Sequence, residues 1–196
     1  PINGRGVYPR PLQERLPLWV AVGGTPQSVA RAGALGLPVA LAIIGGDYPW
    51  FAPLFHLYRE AARRAGNDPA TLKTSINVHG FIADTTEIAA DQFYGPQAAV
   101  MDRIGRERGW GQTNRAQFDQ ARGPTGNLFV GDPELVAEKI VAAHKVFGND
   151  RFLIQMAIGL MPHDQIMRGI ELYGTKVAPL VRKELTGSAV GATPAA

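Results

Sequence analysis

The chain alternates between short apolar runs and longer amphipathic segments. Four apolar runs have the length of β-strands, and they cover residues 18–22, 37–44, 73–83 and 151–158. The second run reads LPVALAII and contains no polar residue, which is typical of a strand buried on both faces of a parallel sheet. The pattern therefore predicts a buried parallel sheet.

Helical segments separate these runs, and they are predicted at residues 26–35, 53–65, 84–104, 133–147 and 162–183. Asp84 is expected to cap the third helix, with Glu87 at the capping-box position, and Gly95 and Pro96 are expected to break it. Asp132 is expected to cap the fourth helix. Alternation of this kind predicts an α/β fold of four βα units with right-handed crossovers. Four units make either half of an eight-unit barrel or a small doubly wound sheet.

Three stretches fall outside this alternation. Residues 1–17 are rich in Pro, Gly and Arg and are expected to form an irregular lead-in, whereas residues 186–196 are expected to form a flexible tail. The segment 105–131 is expected to be an irregular insertion with a short helix near residues 115–120. Such an insertion serves either as a lid over a site or as a surface excursion that covers a barrel edge.

Composition limits the kind of protein. The 196 residues are 45% hydrophobic, which is enough for one domain with a sizeable core. The absence of cysteine excludes disulfides and thiol nucleophiles and fits a reducing, cytoplasmic setting. The net charge is +3 and the pI about 9.4, but the basic residues are spread out, so no nucleic-acid partner is expected. No apolar segment reaches the roughly 18 residues of a membrane span, so no membrane partner is expected.

The end of the first predicted strand has features of a phosphate site. Two glycines, Gly23 and Gly24, are followed by Thr25 at a helix N-cap position and Pro26 at the first helical position. Free backbone N–H groups at a helix N-terminus bind anions, and glycine allows a phosphate to approach the backbone closely. Ser28 lies one helical turn beyond Thr25, so both hydroxyls can face the same anion. The alternative is an ordinary βα turn with a good cap.

His79 is the titratable residue best placed for chemistry and is the candidate catalytic residue. It comes late in the third predicted strand, where a histidine can act as an acid, a base or a hydrogen-bond donor near neutral pH. The alternative is a core histidine without a chemical role. Gln155 and Met156 alternate across the last strand, so one of them points into a barrel interior, and core packing is expected of Met156. No spacing of His, Asp and Glu suits a metal, so no metal site is predicted.

Other polar and aromatic residues follow the predicted strands. Asp47, Tyr48 and Trp50 come after the second strand and are candidates to border a pocket, although packing is the more usual role of a tryptophan. Four arginines cluster around the insertion: Arg103, Arg106, Arg108 and Arg122. Such a cluster either holds an anionic substrate or cofactor or, more usually, forms a solvated face.

Four stretches, taken in order, carry a family resemblance. LPLWVAVGGTPQSVARAGALGLPVALAII resembles the fifth and sixth βα units of the bacterial luciferase-like monooxygenases, and GFIADTTEIAADQFY resembles their seventh strand and the helix after it. NLFVGDPELVAEKI is similar to the family's G-x-P-E-x-V-A-x-K helix start, and RFLIQMAIGLMPHDQIMRGIELYGTKVAPLVRKEL to its eighth strand and final helix. The resemblance covers residues 8–185. It implies that residues 18–185 are the C-terminal half, strands five to eight, of a (β/α)8 TIM barrel of about twice this length.

The resemblance also implies a cofactor and its site. In the family, the loop after the fifth strand holds the flavin phosphate, which corresponds here to Gly24, Thr25 and Ser28. Val22 and Gly23 would then lie beside the ribityl chain or the ring. The implied activity is that of a flavin-dependent oxidoreductase, a monooxygenase that uses reduced flavin (FMN) and O2 on a small organic substrate. A separate flavin reductase is an expected partner.

Two alternatives stay open. Related members of the superfamily use a deazaflavin for hydride transfer without oxygen. The second alternative is an inactive half-barrel that acts only through association, because dividing a barrel exposes edge strands, here at residues 18–22 and 151–158. The expected partner is then the missing N-terminal half or a second copy of the chain. Because of these exposed edges, we do not expect the chain to be a stable lone monomer. The chain begins with Pro1 rather than Met, so we expect it to be processed, truncated or part of a longer protein.

Overall fold

The computed structural model describes residues 3–6 and 8–190. The strands are β1 (Val20–Val22), β2 (Val39–Ile43), β3 (Thr74–Ile82), β4 (Leu128–Gly131) and β5 (Arg151–Gln155). The helices are α1 (Pro26–Ala34), α2 (Ala52–Arg64), α3 (Thr86–Arg108), α4 (Arg115–Ala121), α5 (Pro133–Phe147), α6 (His163–Leu172) and α7 (Ala178–Val190). A 3₁₀ turn, Tyr48–Phe51, leads into α2, and a π-helical turn, Tyr173–Val177, joins α6 to α7. The predicted alternation of strands and helices is confirmed.

The strands form one parallel sheet, as predicted. β1 pairs with β2 and β2 with β3. The nine-residue β3 then pairs with β5 along its first part, from Ser75 to His79, and with β4 along its last part, from His79 to Ile82. Since all the strands run in the same direction, their carboxyl ends lie at one edge of the sheet, where sites form in folds of this kind.

One face of the sheet packs on the helices and forms the core. Along β2 the residues alternate, with Leu41 and Ile43 buried and Ala40 and Ala42 half-buried. The uniformly apolar sequence of this strand predicted burial on both faces. The face that carries Ala40 and Ala42 is only half-buried and so differs from that prediction. The buried helix residues pack with Leu41 and Ile43 in the core, whereas Ala42 lines a cavity, and this accounts for the difference.

The helix α3 differs from its prediction at both its start and its middle. Thr85, not Asp84, caps it by accepting a hydrogen bond from the backbone N–H of Ile88. The Asp84 carboxylate instead pairs with the Arg168 guanidinium at 2.6 Å. The helix also continues through Pro96 without the expected break. A proline removes one backbone donor, and we attribute the continuity to the buried Phe93 and Ala98, which hold the helix on both sides of it.

The insertion is more regular than predicted. The short helix expected near residues 115–120 is present as α4, but residues 128–131 form the strand β4. Two contacts fix the approach to this strand: the Asn127 side chain donates to the Ile44 carbonyl at 2.8 Å, and Asp47 bridges to Gly126. Only pairing with the end of β3 makes these four residues a strand, and that pairing is not visible in a short sequence.

The two ends of the chain follow the prediction in part. Residues 3–6 and 8–17 contain no helix or strand, in agreement with the expected lead-in. The predicted final helix is present as α6 and α7, but it extends to Val190, so residues 186–190 are helical rather than part of a tail. Residues 191–196 lie outside the described residues.

Candidate functional site

The second face of the sheet is an open face formed by alternate residues of four strands: Ala21, Ala40, Ala42, Asn77, His79, Leu153 and Gln155. The register places Asn77 beside Ala42 and Leu153, and His79 beside Gln155. Along β5, Leu153 is 46% exposed while its neighbours Phe152 and Ile154 pack against the core. The open face therefore carries small and polar side chains, and residues of α3 share cavities with those nearest its carboxyl end.

The open face is concave. The Arg151 guanidinium on β5 lies 4.8 Å from the centre of the Trp19 ring, which comes directly before β1. These two strands are at opposite ends of the path β1-β2-β3-β5, with two strands between them. Side chains from the outer strands meet in this way only when a sheet curves toward a barrel.

His79 lies on the open face near the carboxyl end of β3. Its Nδ1 atom is buried and has no hydrogen-bond partner among the described residues. Burial lowers the pKa of His79 below its ordinary value, because desolvation disfavours the charged imidazolium. The ring is therefore neutral near pH 7, and its unpartnered Nδ1 atom is enclosed by the protein.

A cavity of about 890 Å³ adjoins His79 and is called here the His79 cavity. Gln155 and Ile158 line it from the β5 side, and Ile44 lines it from the end of β2. Arg103 and Arg106 of α3 line it from above the strand ends. The structure thus brings His79 and Gln155 together with two of the four predicted arginines. Met156 is buried in the core, as expected.

A second cavity, of about 810 Å³, lies at the ends of β1 and β2 and is called here the Trp110 cavity. Its lining includes Gly23, Phe51, Arg108 and Trp110. Ile44 and Ile104 line both cavities, so the two are neighbours along the carboxyl edge of the sheet. The end of α3 and Trp110 therefore lie over the strand ends, which favours the lid interpretation of the insertion.

The predicted phosphate turn is in place between β1 and α1. Gly24 has a φ of 99°, which disfavours any residue with a side chain, and a Cβ there would lie 3.3 Å from the Phe51 ring. Thr25 occupies the N-cap position but is exposed, and its hydroxyl makes no capping hydrogen bond. Ser28 follows one turn later and is half-buried. At Gly23, by contrast, an added Cβ would meet open space.

Some predicted residues are placed away from the cavities. The Val22 side chain is only 4% exposed and belongs to the core, so any contact of Val22 with a cofactor would be made by its main chain. Arg122 pairs with Asp119 at 2.7 Å instead of joining the other arginines. Tyr48 packs in the core, and Trp50 is 74% exposed, contrary to the packing role expected of it.

Lys139 is a buried charge that the sequence analysis missed. Its Nζ atom donates to the carbonyls of Gly123, Leu128 and Arg122 at 2.5, 2.7 and 3.3 Å. Burial lowers its pKa to about 7, and the ammonium lies over the Phe129 ring at 4.9 Å. Lys139 is the lysine of the G-x-P-E-x-V-A-x-K stretch, so the motif itself was the available signal. These hydrogen bonds hold the segment that leads into β4 against α5.

The part of the chain that the structure describes contains no group of three or more His, Asp or Glu residues able to hold a metal ion. Within the same residues, no helix is long and apolar enough to cross a membrane.

A parallel sheet with helices packed on it and cavities at its carboxyl edge defines an α/β protein. Comparison with protein families identifies it further, because the profile of the luciferase-like monooxygenases matches residues 2–150. The chain belongs to this family, and the predicted family is confirmed. A comparison with curated proteins found no match.

Solved structures share the fold. Monooxygenase RslO1 from Streptomyces bottropensis is 23% identical over 88% of this chain and 50% of its own, with a TM-score of 0.65. The oxygenating constituent of 3,6-diketocamphane monooxygenase from Pseudomonas putida, solved with FMN, is 19% identical over 82% of this chain and 47% of its own (TM-score 0.61). The coenzyme F420-dependent tetrahydromethanopterin reductase of Methanopyrus kandleri is 19% identical over 84% of this chain and 50% of its own, with a TM-score of 0.58. The chain spans about half the length of these structures.

Proposed function

We propose that this chain forms strands five to eight of a luciferase-like TIM barrel and binds the phosphate end of a flavin, as part of a monooxygenase acting on a small organic substrate. The carrying observation is the Gly23-Gly24-Thr25 turn. It lies at the carboxyl edge of the parallel sheet, and its first residue, Gly23, lines a cavity of about 810 Å³. Family membership and the FMN-bound relative support the choice of cofactor.

The residues at this turn fit a phosphate. The space beside Gly23 is open, the conformation of Gly24 is one that glycine favours, and the Thr25 hydroxyl has no capping partner. Few backbone amides of this turn are free to bind a phosphate, because Pro26 lacks an N–H and the Ser28 amide donates to the Thr25 carbonyl. Side-chain hydroxyls would therefore supply the additional hydrogen bonds to a phosphate. Thr25 and Ser28 would hold the phosphate, and Gly23 would allow the ribityl chain to approach the main chain closely.

The reduced flavin supplies the oxidation chemistry when it is bound. The part of this chain is to position the cofactor, to exclude water and to hold a proton near the reacting groups. His79 is the residue proposed for the last task. Its neutral ring carries a nitrogen without a partner and faces a cavity that Gln155 also lines. A neutral histidine in this position can accept a proton from a substrate or donate a hydrogen bond to it.

Binding of the cofactor tests this proposal directly. We expect the chain to bind FMN about tenfold more tightly than riboflavin, because only FMN has the phosphate. Thr25→Val together with Ser28→Ala should abolish that preference and leave riboflavin binding unchanged, whereas Thr175→Val, an exposed threonine between α6 and α7, should change neither. Flavin fluorescence titration measures both affinities. An unchanged preference for FMN in the double variant would contradict the phosphate assignment.

A deazaflavin is the second candidate cofactor. It is favoured by the structural likeness to the coenzyme F420-dependent reductase. The same titration with a deazaflavin decides between the two, and the tighter ligand identifies the cofactor. If the chain binds neither a flavin nor a deazaflavin at high ligand concentration, both proposals fail.

Association is a function of another class that the geometry favours. Leu153 is 46% exposed on the open face, and β1 and β5 each have one edge without a strand partner among the described residues. We propose that the complementary barrel half or a second copy of the chain covers this face. If association is the whole function, the cofactor titrations will be negative while the chain still assembles.

A further inference from the structure

We propose that the His79 cavity binds a substrate with a single anionic group, such as a carboxylate, on an apolar body. This inference rests on the proposed function in taking the cavity as a substrate site. It begins from Arg103 and Arg106, which lie one turn apart on α3 and both line the cavity. The proposal adds a substrate class to a family assignment that names none.

Neither of these arginines has an ion-pair or hydrogen-bond partner among the described residues. Other arginines on the surface are neutralised by carboxylates: Arg115 by Asp91, Arg122 by Asp119 and Arg168 by Asp84. The guanidinium groups of Arg103 and Arg106 are therefore free to bind an anion, and the planar guanidinium suits a carboxylate in particular.

The cavity contains no acidic group to compete for the arginines. Among its described lining residues there is no Asp or Glu. The nearest acid in sequence, Asp102, accepts a hydrogen bond from the Thr113 amide at 2.7 Å. With His79 neutral, the lining carries two positive charges, and an anionic ligand would neutralise them.

The remainder of the lining is mainly apolar. Ile44, Val100, Ile104, Ile158 and Leu160 contribute side chains to it. A cavity of about 890 Å³ with apolar walls and a few polar groups at one side suits a small organic molecule whose charge lies at one end. The arginines would hold the anion and fix the orientation of the apolar body toward His79 and Gln155.

The position of the cavity separates this anion site from the proposed phosphate site. Gly23 lines the neighbouring Trp110 cavity together with Arg108, whereas Arg103 and Arg106 do not line that cavity. The two cavities are neighbours that share Ile44 and Ile104 in their linings. The cofactor phosphate and the substrate anion would thus lie near adjacent cavities.

Calorimetric titration with octanoate and 1-octanol tests the inference on the purified chain. We expect octanoate to bind more tightly than the alcohol of equal chain length. Arg103→Gln with Arg106→Gln should weaken octanoate binding at least about tenfold and leave 1-octanol unchanged. Arg63→Gln with Arg64→Gln removes the same charge from the exposed end of α2 and should have no effect.

Equal affinities for octanoate and 1-octanol in the unmodified chain would overturn the inference, and so would undiminished octanoate binding by the Arg103/Arg106 double variant. FMN and riboflavin are titrated in parallel. If the double variant loses the preference for FMN and keeps octanoate, the arginines bind the cofactor phosphate and the inference is wrong. Charge-dependent octanoate binding without any flavin or deazaflavin binding would instead uphold the anion site and reject the proposed cofactor.

Discussion

The contribution of His79 to the free energy of unfolding depends on pH. Its Nδ1 atom is buried without a partner, and burial lowers the pKa of the ring from its ordinary value of 6.5. The unfolded chain therefore takes up a proton at this position more readily than the folded chain does. By linkage, the free energy of unfolding contributed by His79 is fully present above about pH 6.5 and falls as the pH drops below it.

We expect His79→Gln to reduce the loss of stability between about pH 7 and pH 5, because glutamine does not titrate. A single group changes the slope by at most about 1.4 kcal/mol per pH unit, so urea denaturation at several pH values is sensitive enough. His56→Gln makes the same substitution at an exposed position on α2 and serves as the matched control. Identical slopes for His79→Gln and the unmodified chain would show that His79 titrates as it does when unfolded.

At the scale of elements, the junction between α3 and the segment after β5 shapes the His79 cavity. Pro96 in the middle of α3 and Gly159 after β5 both line this cavity. Gly159 has a φ of 67°, and a Cβ there would lie 2.6 Å from the Pro96 carbonyl oxygen. The helix and the loop can therefore approach this closely only because residue 159 has no side chain.

Gly159→Ala is expected to destabilise the fold by about 1–3 kcal/mol, since it combines backbone strain with a steric clash. Gly174→Ala is the matched control, because an added Cβ there meets no atom within 4 Å. In a helical turn that substitution should be neutral or stabilising by up to about 1 kcal/mol. Urea denaturation of both variants gives the comparison, and equal stability of the two would contradict the close packing of Pro96 on Gly159.

At the scale of the whole molecule, the open face determines how the chain behaves in solution. Leu153 is 46% exposed in the middle of β5, and the sheet edges at β1 and β5 lack further strands among the described residues. Exposed apolar strands with free edges favour pairing with another chain. We therefore expect the purified chain to sediment as a dimer or larger species at micromolar concentration.

Leu153→Lys should shift the sedimentation coefficient toward the monomer, because a charge on the open face would have to be buried on association. Leu35→Lys alters a more exposed leucine, 61% accessible at the end of α1 against 46% for Leu153, and should leave the assembly intact. A compact monomer for the unmodified chain would reject the association proposal.

Much of the fold and part of the site were predictable from local sequence. Continuous apolar runs indicated the parallel strands, and Asp132 caps α5 as predicted because a cap depends on residues only three positions apart. The family could also be identified from the order of its motifs. His79 and Gln155 could be nominated, but not paired, since they lie 76 positions apart and meet only through the register of β3 with β5.

The sequence by itself determined the alternation of the four strands other than β4 with the helices and the position of the Gly23-Gly24-Thr25 turn, because those features depend mainly on neighbouring residues. The order of the motifs along the chain determined the family. Only the tertiary structure decided the rest. The Val22 side chain is buried in the core because one face of β1 packs against the helices. Residues 128–131 form a strand because they pair with β3. The helix α3 continues past Pro96 because its buried residues pack against the core. Those outcomes depend on contacts between segments that are distant in the sequence. The three hydrogen bonds of Lys139 and the cavity lined by Arg103 and Arg106 depend on tertiary contacts in the same way.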